Sequence, residues 1–403
     1  MQNVFDTLER RGYVEQLTHP EEIKKIFATE SVPFYIGIDP TADSLHVGHF
    51  ISLMVASHMQ KAGHKPIILM GGGTAIIGDP SGKTDMRKML TVEDIDNNVA
   101  QIKKQIEKFL SFEGENAAII VNNADWLRDL NYINFMREIG VHFSVNRMLA
   151  AECYKNRLET GLTFFELGYM LMQSYDFLYL HDHYGCKLQM GGNDQWSNII
   201  GGVELIRKIG AEDSYGFTFK LLTTKEGKKM GKTEKGALWL NSEKTSPYEF
   251  YQYWRNVADE DIENVMKLLT FIDPEEIEEM TKYKDERINE AKKVAAFEIT
   301  KLVHGEDEAK KAEEATNAMF AGNGNVDAME AKTTEVNIPI VQVIVDIGMA
   351  PSKGQAKTLI MQGAITLNDE KISDIGYTLK EEDFSNGYAI IRKGKKVYYK
   401  LVK

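Results

Sequence analysis

The chain predicts a doubly wound α/β domain, then a helical region, then a small separate module. Three observations carry this. Up to about residue 220, short apolar runs ending in glycine or asparagine alternate with segments of helical period. From 221 to 320 a lysine-rich loop leads into patterns that are helical throughout. After a small, polar, glycine-rich stretch at 321–336, which reads as a linker, the sign of the charge changes. Residues 337–403 hold ten Lys or Arg against seven Asp or Glu, +3 where the rest of the chain carries −15.

The elements follow in order. FYIGI is the first strand-like run, and the helical HFISLMVASHMQKAG follows it. PIILMGG, the helical VAQIKKQIEKFLSF, then AAIIVNN and KLQMGG continue the alternation. Continuous apolar runs read as parallel strands because helices cover both faces of such a sheet. Ligands then sit beyond the carboxyl ends of the strands. In the second region TSPYEFYQYWRNV enters a helix at Pro247, a residue suited to the first turn. DEDIENVMKLLTF and residues 285–305 extend the helical pattern.

Composition narrows the function. Net charge −12 argues against a chain-wide nucleic-acid coat but allows a local basic patch. Cys153 and Cys186 are too few and too far apart for a disulfide framework or a zinc site, which points to a cytoplasmic protein. The N-terminus MQNVFDTLERRGYVEQL is charged throughout and lacks the apolar core of a signal peptide. No apolar run approaches the ~18 residues of a membrane span.

Three motifs carry chemistry. His46 and His49 stand three apart at a helix start, behind Asp43 and Ser44 as potential caps. Zinc helices need a spacing of four with a glutamate between, which disfavours metal binding and leaves either two structural histidines on a helix surface or a ligand site. A helix N-terminus offers free N–H groups and partial positive charge, which suits a polyphosphate, and Gly48 permits close approach. GGGTAIIGDPSGKT, residues 71–84, is not a P-loop: three residues separate Gly78 from Gly82 where four are required. It is a polar loop after a strand, with Asp79, Lys83 and Arg87 at hand, or else a plain turn. KKMGKT, residues 228–233, is a solvated surface loop or a mobile one whose lysines close over phosphates.

HVGH and KMGKT resemble the HIGH and KMSKS signatures of class I aminoacyl-tRNA synthetases, in order and about 180 residues apart. YIGIDPTADSLHVGH, GDPSGK, YMLMQSYDF and QMGGNDQW are similar to the bacterial tyrosyl-tRNA synthetases, over nearly the whole chain. PSKGQAKTLIMQGAITLNDEKI resembles the S-four-type RNA-binding domain shared with a ribosomal small-subunit protein. The resemblance implies a Rossmann-like catalytic domain at 1–220 with a dimer-forming insertion near 125–160. It further implies an anticodon-side helical domain at 221–320, a small α+β RNA-binding domain at 337–403, and a homodimer. The substrates would be L-tyrosine, ATP with Mg²⁺, and tRNA(Tyr), with no dedicated protein metal site.

Residue by residue, the resemblance assigns Thr41, His46 and His49 to the phosphates of ATP. Lys83 and Arg87 join them from the second loop, and Lys229, Lys232 and Thr233 from the mobile one. Gly37, Asp39 and Gly48 complete the ATP contacts, while Gly192 and Asp194 hold the ribose. Tyr35 and Asp176 would meet the phenol hydroxyl of tyrosine, and Asp79, Tyr169 and Gln173 its ammonium. Gln195 would lie near the carboxylate. The ordinary reading of FELGYMLMQSYDFLYL is a core helix, but Tyr169, Gln173 and Asp176 fall on one face and need partners if buried. Lys353, Lys357, Arg392, Lys393, Lys395 and Lys396 would contact tRNA phosphates, against the alternative of an ordinary charged surface. The loop departs from the signature with Gly231 and Thr233 at its two serine positions, yet both lysines remain. The alternatives are a tryptophan-tRNA ligase of the same architecture and a synthetase-like RNA-binding protein without catalysis. A small nucleotidyltransferase is disfavoured by the length and the basic tail.

Overall fold

The computed structural model describes residues 3–81, 90–210, 214–233, 236–283, 285–320, 331–368, 370–385, 387–394 and 397–403, apart from the side chains of residues 156, 232, 233 and 318–320. It forms two compact units: residues 1–246 with 253–304, and residues 247–252 with 305–403.

In the first unit, α1 (Val4–Arg10), β1 (Val14–Leu17) and α2 (Pro20–Thr29) precede β2 (Pro33–Ile38). Then come α3 (Val47–Lys61), β3 (Lys65–Met70), α4 (Val92–Ile106) and β4 (Ile119–Asn122). Short helices α5 (Ala124–Leu127), α6 (Tyr132–Glu138), α7 (Val145–Leu149) and α8 (Glu152–Thr160) lead to the long α9 (Phe164–Tyr184). The strands β5 (Leu188–Gly192) and β6 (Tyr215–Phe219) flank α10 (Trp196–Ile209). The six strands lie in the order β1-β6-β5-β2-β3-β4. All neighbours are parallel except the edge pair β1–β6. The chain winds outward from β2 to β4, then returns to lay β5 on the other side of β2. That reversal opens a crevice beyond Ile38 and Gly192, where a doubly wound sheet binds its ligands.

Burial explains why these residues form these elements. The side chains of β6 are all buried, as are most of those in β2 and β3, so helices cover both faces of the sheet. Helix α3 is buried on almost every side, including Ser57, His58 and Gln60. Two of these find partners: Ser57 Oγ donates to the Phe109 carbonyl at 2.7 Å and Gln60 Nε2 to that of Ser111 at 2.7 Å, whereas His58 Nε2 has no hydrogen-bond partner among the described residues. Burial, with Arg11 and Lys61 nearby, pushes His58 down to about 3, so it is a neutral core histidine.

Two further strands, β7 (Lys232–Thr233) and β8 (Gly236–Ala237), form a small antiparallel hairpin, and α11 (Pro247–Arg255) follows, its residues 247–252 belonging to the second unit. Helices α12 (Ile262–Leu269), α13 (Pro274–Thr281) and α14 (Ile288–His304) complete the first unit. The end of α12 is closed by a buried guanidinium. Arg11 donates to the carbonyls of Lys267 (3.0 Å), Thr270 (2.8 Å) and Ile272 (2.6 Å), which no helical N–H satisfies. Arg11→Ala leaves those carbonyls unpaired in a buried place, so the fold should lose about 3 kcal/mol. A urea midpoint matching that of the parent would refute the clamp.

The second unit carries α15 (Glu306–Phe320), β9 (Ala331–Thr333), α16 (Ile340–Asp346), α17 (Lys353–Met361), β10 (Ile365–Leu367), β11 (Glu370–Lys371), β12 (Tyr388–Lys393) and β13 (Val397–Val402). Its sheet has the order β11-β10-β12-β13-β9. Ile344, Ile360, Ile365, Ile391 and Leu401 form the core of this α+β module. Residues 331–333, which composition places in a linker, instead add a parallel edge strand to β13. An edge strand needs only backbone pairing, and three residues without an apolar alternation, Ala-Lys-Thr, hide it from a reading based on periodicity. The linker residues 321–330 lie outside the described residues.

Candidate active site

The site begins at the end of β2. His46 is itself the N-cap of α3, not Asp43 or Ser44 as the sequence suggests. Asp43 pairs with Lys244 at 2.6 Å, and Ser44 Oγ donates to the Leu45 carbonyl. His46 Nδ1 accepts from the Gly48 N–H at 3.0 Å, and His49 Nδ1 accepts from the His46 N–H at 3.3 Å. The two imidazoles thus form a reciprocal capping box with their rings 4.1 Å apart. Acceptance at Nδ1 places each neutral ring's proton on Nε2. Gly48 is required because a Cβ there would lie 2.7 Å from His46 Cε1.

Helix α9 supplies the second wall. Thr163 and Glu166 cap its start, and the buried Glu166 pairs with Arg157 at 2.8 Å. One face carries Tyr169, Gln173 and Asp176. Tyr169 donates its hydroxyl to Asp39 Oδ2 at 2.9 Å, and Thr74 donates to Asp39 Oδ1 at 2.9 Å. Gln195 joins Asp79 (2.6 Å) to Gln173 (3.4 Å). Asp176, 1 % exposed, accepts from Asn123 Nδ2 and from Trp126 Nε1, each at 2.8 Å. Burial pushes its carboxyl up to about 8; the two donors oppose that shift and the Asp39 charge adds to it. Burial, then the Asp176 charge, also raises the Tyr35 phenol. The Tyr35 hydroxyl, Gln173 Oε1 and Gln189 Oε1 are buried without a hydrogen-bond partner among the described residues.

The third wall comes from residues 229–231 and 237, with 238–240 behind them. Lys229 Nζ lies 3.6 Å from Asp194 Oδ2, just after β5. Burial raises the Asp194 carboxyl and Lys229 opposes this. The segment docks on the histidine motif through its backbone: Val47 N–H donates to the Leu238 carbonyl (3.0 Å) and Leu240 N–H to that of Leu45 (2.8 Å). Gly231 has φ +81°, and a Cβ there would lie 2.8 Å from Val47 Cβ. A serine at that position would be strained and crowded, which accounts for glycine in KMGKT.

A cavity of about 410 Å³ unites these walls. Tyr35, Gly37, Asp39, Thr41, His46, Gly48, His49, Asp79, Tyr169, Gln173, Asp176, Gly192, Asp194, Gln195 and Lys229 all line it. Lys83 and Arg87 lie outside the described residues, as do the side chains of Lys232 and Thr233, whose backbone forms β7. In the second unit Lys353 and Lys357 are exposed on α17. Lys393 donates to the Met349 carbonyl at 2.9 Å and Arg392 Nε to Thr366 at 3.1 Å. Lys395 and Lys396 lie outside the described residues. Sequence reasoning missed Asn123, Trp126 and Thr74. The asparagine pair that ends AAIIVNN at a strand's carboxyl end was a signal for the first.

Residues 28–321 match the family described as tRNA synthetases class I (W and Y), and residues 320–401 the tyrosine–tRNA ligase SYY-like C-terminal domain. The chain is 58 % identical over 408 residues to a tyrosine–tRNA ligase of Acetivibrio thermocellus, covering 100 % of this chain and 99 % of the relative. It is 58 % identical over 405 residues to one of Clostridium perfringens, covering 100 % of both. A C-terminally truncated mitochondrial tyrosyl-tRNA synthetase of Aspergillus nidulans superimposes with a TM-score of 0.71 at 28 % identity, over 79 % of this chain and 95 % of that one. The tyrosyl-tRNA synthetase of Archaeoglobus fulgidus, solved with L-tyrosine, shares the fold with a TM-score of 0.59 at 18 % identity, over 77 % and 99 %.

Proposed function

The chain belongs to the class I tRNA synthetases of the tryptophan and tyrosine group, and from that membership we propose how its site divides the work. It is a tyrosine–tRNA ligase: it activates L-tyrosine with ATP, releases pyrophosphate, and transfers the tyrosyl group to the 3′ end of tRNA(Tyr). The tyrosine carboxylate attacks the α-phosphorus already ionised, so the first step needs alignment and charge stabilisation rather than a general base. Thr41, His46 and His49 hold the phosphates at the start of α3, together with Lys83, Arg87, Lys229, Lys232 and Thr233. Gly37, Asp39 and Gly48 border the nucleotide, and Gly192 with Asp194 takes the ribose. Mg²⁺ arrives on the ATP phosphates as part of the substrate.

Tyr35 and Asp176 take the phenol hydroxyl. Asp79, Tyr169 and Gln173 take the ammonium, and Gln195 lies by the carboxylate. The observation that supports this most is the buried Asp176, steered by two donors, in the same cavity that His46 and His49 line. A hydrogen-bonding site of this kind rejects an analogue that leaves its buried groups unpaired. ATP–pyrophosphate exchange offered tyrosine, tryptophan or phenylalanine tests it. Exchange driven by tyrosine is expected; exchange driven by tryptophan instead would overturn the reading.

Residues 337–403 bind tRNA phosphates in this proposal, through Lys353, Lys357, Arg392, Lys393, Lys395 and Lys396. The free, buried Cys153 and Cys186 suit a cytoplasmic location. The protein acts as a homodimer through the 125–160 region, where Tyr132, Ile133, Val141 and Val145 are more than half exposed. Ile133→Asp should shift the sedimenting species from dimer to monomer; a parent enzyme that sediments as a monomer would remove the proposal.

A further inference from the structure

Asp176 is steered by an aromatic column that the reaction itself does not require. Trp126, whose indole N–H reaches Asp176 Oδ1 at 2.8 Å, lies flat against Tyr179, with ring centroids 4.2 Å apart and planes 13° from parallel. The other side of the column is His183, stacked on Tyr179 at 4.0 Å and 17°. His183 is exposed, and its Nδ1 lies 2.9 Å from the Tyr179 carbonyl oxygen. Asp176, Tyr179 and His183 follow one another on α9 at spacings of three and four, so one helix face presents all of them. The helix that carries the carboxylate therefore also grips the indole that points at it.

An indole has one N–H, in the plane of its ring. A stacked neighbour that sets the plane also sets the line along which that donor points. We propose that Tyr179, backed by His183, is a positioning residue for amino-acid selection: the stack holds Trp126 in the plane from which its N–H meets Asp176. The proposal rests on the reading of Asp176 as the partner of the phenol hydroxyl. Simple packing is the competing account. Packing needs apolar volume at residue 179, whereas positioning needs a flat ring, and the two can be separated.

Tyr179→Leu keeps apolar volume without the plane; Tyr179→Phe keeps the plane without the hydroxyl. In pyrophosphate exchange, Tyr179→Leu should lower the tyrosine-over-phenylalanine ratio of kcat/KM about tenfold, through a raised KM for tyrosine with kcat little changed. Tyr179→Phe should restore the ratio to within about twofold of the parent. His183→Ala, at the exposed end, should lower it about threefold without loss of thermal stability. An unchanged ratio in Tyr179→Leu, or equal losses in the leucine and phenylalanine variants, overturns the proposal. Should Tyr179→Leu fail to fold, an unchanged ratio in His183→Ala overturns it instead. Asp176→Asn runs in parallel: if that variant keeps the parental ratio, the reading of Asp176 fails, and the result is distinct from a failure of the column alone.

Discussion

Asp176→Asn should reduce kcat/KM for tyrosine in pyrophosphate exchange about 100-fold or more, while phenylalanine activation changes little. The two carboxyl oxygens accept from Asn123 and Trp126, one donor each, and the group keeps a lone pair and, below about pH 8, its proton for a ligand hydroxyl. An asparagine has one acceptor oxygen, and its NH₂ would face one of the two donors. A buried donor is then unpaired, and the site loses the group that distinguishes tyrosine from phenylalanine. Equal losses for both amino acids would show that Asp176 only supports the fold.

The same substitution has a signature in stability. Burial lifts the Asp176 carboxyl from its ordinary value near 3.8 to about 8, so the native state holds a proton that the unfolded chain releases. Its contribution is therefore present in full below about pH 4 and is lost as pH rises through about 8. Between pH 6 and pH 8 this one group should lower stability by about 2 kcal/mol. Urea midpoints at the two pH values should show that fall in the parent and a smaller one in Asp176→Asn. Identical pH dependence in the two proteins would mean that the carboxyl titrates normally.

The second large effect belongs to Lys232→Ala. Adenylate formation places growing negative charge on the departing pyrophosphate, and a cation needed only at that moment is worth about 3 kcal/mol, or ~100-fold or more in rate. Lys232 begins β7, directly after Gly231, which packs on Val47 beside His46. Single-turnover adenylate formation should slow by that factor while the tyrosine dissociation constant stays near that of the parent. A parental rate would remove Lys232 from the phosphate site.

Much of the site is legible in the sequence, for reasons particular to certain residues. Strands β2 and β3 announce themselves because a strand covered on both faces is mostly apolar, while IIVN of β4, which is not fully buried, and LQMGG of β5 show as short runs that end in asparagine and glycine. The face of Tyr169, Gln173 and Asp176 follows from helical spacing alone. Strands β1 and β6 are harder to read: VEQL is half polar at the edge, and YGFTF is broken by a glycine and a threonine. The capping role of His46 is hidden too, since Asp and Ser are the usual caps and a histidine box depends on ring orientation.

Local order along this chain settled where the strands and helices of the central sheet run, where the histidine and lysine motifs stand in the chain, and that an acid and two polar groups share one face of α9. Those features depend on neighbours a few residues apart, and periodicity records them. Three-dimensional packing settled the rest. It brought Asn123 and Trp126 to Asp176 from about 50 residues away, laid the segment 238–240 against 45–47, and thereby explained the glycine at 231. It also determined that Asp176 is buried deeply enough for its carboxyl to move. Burial and long-range hydrogen bonds arise only when distant segments meet, so no pattern within a single segment can encode them.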